Sequence, residues 1–203
     1  MSSLLPLFPL DLVLLPGTSL PLHIFEPRYK EMIEECLAGK KVFGIVRSKE
    51  EGAEEIGCTA EILEVTKKYP DGRMDILTAG RRRFEVMELN QERAFLRAEV
   101  LFLDDEPTPA AAPDVDAAVA LHGELMSIAG AEAEGQTEVK SSQLSFHLVG
   151  SLPLDLDFKQ NLLAMKSEAE RIPAVVTYFQ AILPILRRTA QARKTAGGNG
   201  RVH

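Results

Sequence analysis

Few residues in this 203-residue chain could do chemistry: four histidines, two cysteines, and scattered acids and arginines. His122-Gly123-Glu124 matches the H-x-E half of a zinc deaminase signature, in which the histidine holds the metal and the glutamate moves protons. The P-C-x-x-C half is missing, so such a zinc would lack its other ligands. Cys36 and Cys58 have no second Cys or His at ligand spacing, so no metal is expected. They read as free thiols of a cytoplasmic protein. His23, between Leu22 and Ile24, is turned away from its apolar neighbours by strand alternation and suits a hydrogen bond to a nearby carbonyl. His147 sits in an apolar run and His203 near the end, while Asp71, Asp75 and Glu85 make no evident acid pair. Gly39-Lys40 lacks the upstream glycine and following hydroxyl residue of a phosphate loop. Neither a G-x-S-x-G elbow nor an H-E-x-x-H helix occurs. The expectation is no catalytic residue, no cofactor and no enzymatic activity.

The elements that would position these residues change character along the chain. "LPLFPLDLVLLPGTSLPLHIFEPRY", from Leu5, is apolar, but Pro6, Pro9, Pro16, Pro21 and Asp11 interrupt it and no cationic start precedes it. That pattern argues against a secretory leader and against a membrane span. Prolines belong at sheet edges and beside turns, so the stretch predicts short strands around Leu7-Phe8 and Leu12 to Leu15, a Pro16-Gly17 turn, and a strand from Ser19 to Ile24. Tyr29, Met32, Ile33, Cys36 and Leu37 then fall at helical spacing, with Gly39 at the cap position. "KVFGIVRS" reads as a buried strand and "KEEGAEE" as an exposed loop. "CTAEILEVTKKY" and "RMDILTAG" flank the turn Pro70-Asp71-Gly72, and "RRFEVMEL" and "AFLRAEVLFL" extend the meander. Arg81-Arg82-Arg83 is read as a solvated face.

Acids and prolines at 104–114 mark a linker, and everything beyond looks helical. Asp114 is expected to cap one helix, "SSQLSFHLVGSL" to form a second, and Asp157 with Gln160 to box the start of a third. Ser167 to Glu170 opens a long helix striped by Ile172, Val175, Val176, Phe179, Ile182, Leu183 and Leu186, bent at Pro173 and Pro184 and ending in Arg187, Arg188, Arg193 and Lys194. The expected division is a β-rich barrel with one helix at 1–106, a helical subdomain at 107–196 and a flexible tail at 197–203. A net charge of −7 argues against broad attraction to nucleic acid.

The P-L-x-x-x-L-x-P-G start at Pro9 to Gly17, the L-P-L-x-I-F-E-P-R-Y segment and the G-x-R-R-F-x-V strand at Gly80 to Val86 resemble the N-terminal substrate-binding domain of the Lon protease family. The likeness runs from about Leu5 to Leu186. It implies an α+β fold, a PUA-like pseudo-β-barrel N-terminal domain followed by a helical C-terminal subdomain. It also implies a stand-alone, non-catalytic module that binds unfolded or apolar polypeptide, without the ATPase and Ser-Lys protease modules of full-length Lon. Phe8, Leu20, Leu22, Phe25 and Tyr29 are then candidates to line a peptide groove. Pro16, Gly17, Glu26, Pro27 and Arg28 are candidates for a structural corner, Glu26 or Arg28 forming an internal ion pair. The alternative is an RNA-binding PUA-like protein, using Arg81 to Arg83 with Lys67 and Lys68. Self-association through the long helix stays open.

Overall fold

Alternating apolar and polar residues from Leu5 to Leu103 fold as strands, and the 3.6-residue stripes beyond Ala111 fold as helices. The computed structural model describes residues 4–39, 42–50, 52–130 and 141–198. Two units emerge: Met1–Asp105 with Pro153–Lys166, and Glu106–Leu152 with Ser167–His203.

The first unit contains β1 (Leu5–Leu10), β2 (Ser19–Ile24), α1 (Pro27–Ala38), β3 (Val42–Lys49), β4 (Gly52–Ala53), β5 (Ile56–Lys68), β6 (Met74–Asn90), β7 (Arg97–Leu103) and α4 (Leu156–Ala164). β6 pairs antiparallel with β5 and β7, and β5 pairs antiparallel with β3. β1 runs parallel to β3 from Leu7↔Gly44 to Leu10↔Arg47 and antiparallel to β7 at Leu5↔Ala98 and Pro6↔Arg97. The sequence β1-β7-β6-β5-β3 therefore returns to β1. Its β1–β7 seam is only two residue pairs long, so the ring is a pseudo-barrel. Leu7, Val46, Phe84 and Ala98 fill part of its interior, with Leu5, Val86, Leu96 and Val100 packed against them. β2 lies off this ring and pairs with β6 from Ser19↔Ala79 to Ile24↔Met74. α1 starts on Pro27 and buries Tyr29, Met32, Ile33 and Cys36, the expected spacing, with Gly39 as C-cap.

Several expectations are corrected. Leu12 to Leu15 is not a strand; Leu14 and Leu15 are buried, and the chain turns at Pro16-Gly17, where Gly17 takes φ 79°. β6 is one 17-residue strand rather than two. Gly80, at its middle, makes no turn: a Cβ there would come 2.2 Å from the Leu15 carbonyl oxygen, so glycine admits a crossing backbone. The loop after β3 contains the short β4. Pro153–Lys166, which the sequence groups with the helices, clusters with the strands. α4 is capped not by Asp157 but by Asp155, whose Oδ1 accepts from the Phe158 N–H at 3.0 Å.

The second unit holds α2 (Ala112–Ala129), a 3-10 turn (Ser141–Gln143), α3 (Leu144–Gly150) and α5 (Glu168–Gly198). α2 begins at Pro113 and its neighbours, leaving Asp114 in the first turn beside the positive helix end rather than at the cap. α5 begins as expected, the Ser167 Oγ accepting from the Glu170 N–H at 3.3 Å. It is a single helix through Pro173 and Pro184. Ile172, Val175, Phe179 and Leu183 are buried, but Leu186 is exposed with Ile185. The helix includes Gly197 and Gly198, placed in the tail by the sequence; the rest of that tail and the Arg193 and Lys194 side chains lie outside the described residues. Among the described residues no helix is long and apolar enough to cross a membrane.

The close approach at Gly80 generates a prediction. Gly80→Ala should destabilise the protein by about 1–3 kcal/mol, toward the upper end because the clash is with backbone that cannot rotate away. Urea denaturation followed by circular dichroism would measure it, and unchanged stability would contradict the packing.

Candidate functional site

The groups best suited to chemistry are mostly engaged with one another. His122 and Ser151, distant in sequence, meet with Nε2 and Oγ 2.7 Å apart, a pairing no local motif announces. That is nucleophile–base distance. However, the Ser151 hydroxyl also donates to the Leu148 carbonyl at 3.1 Å, and a hydroxyl has one proton. His122 Nε2 then carries the hydrogen, the wrong tautomer for a general base. The N–H groups of Ser151 and Leu152, which would form an oxyanion hole, donate to the His147 and Val149 carbonyls. Burial, and then the charge of His147, push the His122 pKa down. The geometry is that of a neutral imidazole closing the end of α3.

Both cysteines are buried. Cys36 Sγ points at the Val42 carbonyl and its pKa is pushed up to about 11 by burial and then Glu35. Burial raises Cys58 to about 12 against the lowering effects of Arg81 and Arg83. Among the described residues no group of three or more His, Cys, Asp or Glu could hold a metal ion.

The arginine run is not a uniform solvated face. Arg81 Nε bonds Glu61 at 2.5 Å, and Arg82 reaches Asp104 at 3.3 Å while stacking its guanidinium 4.2 Å from the Phe102 ring centre. Arg83 is buried, because its guanidinium finds the carbonyls of Leu163 and Met165 and the carboxylate of Asp105. All three therefore face a carboxylate.

The five groove candidates part company. Phe8 and Tyr29 stack on each other in the interior, ring centres 3.9 Å apart, because helical spacing turns Tyr29 inward onto β1. Burial raises the Tyr29 phenol pKa, opposed by Arg28, whose guanidinium lies 4.5 Å from that ring. Leu20 and Leu22 are half-buried on β2, and Phe25 is 58% exposed. Of the corner residues, Pro16 is buried, Pro27 opens α1, and Glu26 pairs with Arg28 at 2.8 Å on the surface rather than internally.

A shallow groove of about 340 Å³ runs along the outer face of β2 and β6, bounded by Pro21, Leu22 and His23 from β2, Asp75, Ile76 and Leu77 from β6, and Thr66 from β5. The register explains the set, since Pro21 faces Leu77 and His23 faces Asp75 across the ladder. At one end His23 Nδ1 contacts Asp75 Oδ1 at 2.5 Å, and Tyr69 donates its hydroxyl to Asp75 Oδ2 at 2.9 Å. These two hydrogen bonds hold the Asp75 carboxyl below the usual carboxylate range. His23 therefore bonds a side-chain carboxylate, not the carbonyl expected. Its ring lies 5.9 Å from Phe25 and 5.8 Å from Tyr69, so an aromatic wall continues the groove.

Comparison with known proteins bears on these features. The family model described as ATP-dependent protease La (LON) substrate-binding domain matches residues 4–180. The Lon protease of Parabacteroides distasonis is 28% identical over 185 residues, covering 82% of this chain and 22% of that protein. The Lon protease of Flavobacterium johnsoniae is 32% identical over 111 residues, 50% of this chain and 14% of that protein. The chain thus spans about a fifth or less of the length of these relatives. A Lon N-terminal domain protein from Xanthomonas campestris superposes with a TM-score of 0.71 at 23% identity, covering 87% of this chain and 98% of that one. The N-terminal domain of Mycobacterium avium complex Lon protease gives 0.65 at 18% identity, with 88% and 98% coverage. The α+β fold expected from the sequence is that of these domains.

The burial of both thiols predicts that neither Cys36 nor Cys58 reacts with a soluble disulfide reagent in the folded protein at about pH 8, while both react after denaturation. Thiol titration in buffer and in guanidinium checks this; rapid labelling of the native protein would contradict it.

Proposed function

The chain belongs to the ATP-dependent protease La (LON) substrate-binding domain family, and on that premise we propose that it binds apolar segments of unfolded polypeptide and does not alter them chemically. One observation carries the reading: the groove on the outer face of β2 and β6 combines apolar floor, aromatic wall and a neighbouring strand edge.

Pro21 has no N–H, so its pair with Leu77 is a non-hydrogen-bonded one. By alternation Leu20 and Leu22 bond to β6, and Ser19 and His23 turn their main-chain groups toward the other edge of β2. Among the described residues no strand pairs there. An extended peptide can take those hydrogen bonds while laying an apolar side chain into the groove. Each side chain fully seated contributes about 1.5–3 kcal/mol, so two of them, with the main-chain hydrogen bonds offsetting the ordering of the peptide, give an affinity no tighter than the tens of micromolar. Pro21 limits the ladder and restrains open-ended strand addition between copies. The RNA alternative rested on Arg81 to Arg83 with Lys67 and Lys68; the three arginines are each paired with a carboxylate, and Lys67 lies 4.5 Å from the Tyr69 ring centre. Two buried thiols suit action in a reducing, cytoplasmic setting.

Fluorescence anisotropy with a permanently unfolded, carboxymethylated model protein tests the proposal. Binding in the tens of micromolar is expected, changing less than about twofold between about 50 and 300 mM salt, unlike a phosphate-contact interaction. Leu77→Asp, which places a charge on the groove floor, should weaken it about tenfold while leaving the thermal transition unchanged. Absence of binding, or full affinity in Leu77→Asp, would overturn the assignment.

A further inference from the structure

The segment Pro153–Lys166 enters the first unit at Pro153 and leaves it after Lys166, carrying α4 against the strands. Its polar attachments come from the sheet. Arg47 Nη1 bonds Asp157 Oδ1 at 2.5 Å, and Gln160 Nε2 donates to the Ile56 carbonyl at 2.9 Å. Arg83 Nη1 donates to the carbonyls of Leu163 and Met165, both at 2.7 Å, and Nη2 binds Asp105. The last carbonyls of α4 have no partner within the helix, and a cation is the natural cap for them.

The acceptors of Arg83 have a topological meaning. Asp105 is the last residue before the chain first leaves this unit, and Leu163 and Met165 stand just before it leaves again. One buried guanidinium thus grips both departure points. Lysine could not replace it, since three acceptors in different directions need the planar fork. The rest of the seam is less complete: Arg47 Nε and Gln160 Oε1 are buried without a hydrogen-bond partner among the described residues. Each buried polar atom left without a partner costs about 1–3 kcal/mol, which lowers the free energy of opening this seam locally. Leu162 and Leu163, both fully buried, would be uncovered by such an opening.

We infer that Arg83 is a positioning residue for a strap: Pro153–Lys166 detaches from the strands as one segment, and the Arg83 fork holds it closed. The inference is independent of the groove on β2 and β6, which shares no residue with it.

Hydrogen–deuterium exchange of the full chain, comparing the parent with Arg83→Lys and Arg83→Met, is the test. Amides of residues 157–165 should exchange at least about tenfold faster in both variants, while those of β3, β5 and the first half of β6 stay within about twofold of the parent. Lysine must resemble methionine, because charge without the fork leaves the carbonyls unbridged. Exchange that rises uniformly through the unit would make Arg83 an ordinary core residue, and unchanged protection at 157–165, or a parent-like Lys variant, would remove the strap. Should the Arg83 variants fail to fold, Asp105→Asn removes only the counter-charge. It must then show the same selective pattern at smaller amplitude, and a uniform change or none would overturn the inference.

Discussion

A fully buried guanidinium needs hydrogen bonds and a counter-charge in place of its water, and each unit of this protein buries one, Arg83 in the first and Arg171 in the second. Taking a cation out of water costs several kcal/mol unless hydrogen bonds and a counter-charge replace the lost hydration. In the first unit Arg83 meets that demand with two main-chain carbonyls and Asp105. In the second, Arg171 is fully buried and donates to Glu168, to the Ser145 hydroxyl and to the Ser142 carbonyl, its face 4.4 Å from the Phe146 ring centre. Glu168 in turn accepts from both the N–H and the hydroxyl of Ser145. Neither cluster can be assembled from one stretch of chain. Arg83 needs residues 80 positions later, which obliges the chain to return to the strands after α3.

That return is compatible with the pseudo-barrel because the ring is already closed without it. β1 bridges β3 and β7, so its edges are spent, and the glycines facing Phe84 show how tightly it is filled. A Cβ on Gly44 or Gly57 would come 2.6 Å from the Phe84 ring. With Phe84 fully buried and Arg83 beside it in sequence, strand alternation sends one side chain into the ring and the other to its outside, where α4 supplies the acceptors. The neighbouring residues of β6 therefore serve two separate layers of packing.

What could be read from the sequence follows from which interactions are local. The α1 stripe, the Pro16-Gly17 turn, the Pro70-Asp71-Gly72 hairpin and the Ser167 cap each depend on residues a few positions apart, and each is found. The misreadings involve long-range partners. Arg83 looked solvated because nothing near it announces Leu163 or Met165. Asp157 looked like a helix cap, yet Arg47, 110 positions away, claims its carboxylate and Asp155 takes the cap. Phe8 and Tyr29 looked available for a groove because apolar residues at a corner can face either way, and only their mutual stacking decides it. Phe25, two residues before Pro27-Arg28, stays outside because no buried partner waits for it. Leu77 and Asp75 were invisible as groove residues, since the pairing of β2 with β6 is what brings them beside Pro21 and His23.

Under the proposed function, the same distinction bears on the kind of recognition the groove would support. Asp75 is a charged group at an otherwise apolar site, and it could impose a preference for basic residues. Each of its oxygens accepts a hydrogen bond, one from His23 and one from Tyr69, so the carboxylate organises the aromatic wall and part of its accepting capacity is used within the protein. What remains outward is a ring face, aliphatic side chains and a main-chain edge interrupted by one proline. None of these reads a particular sequence; each rewards any extended chain with an apolar side chain at suitable spacing. A surface meant to discriminate among folded partners would instead present unpaired polar groups, whose burial without a matching group is costly and therefore selective. Under the proposed function, the pairing of His23, Asp75 and Tyr69 lowers the specificity of the groove, as recognition of unfolded chains of varied sequence requires.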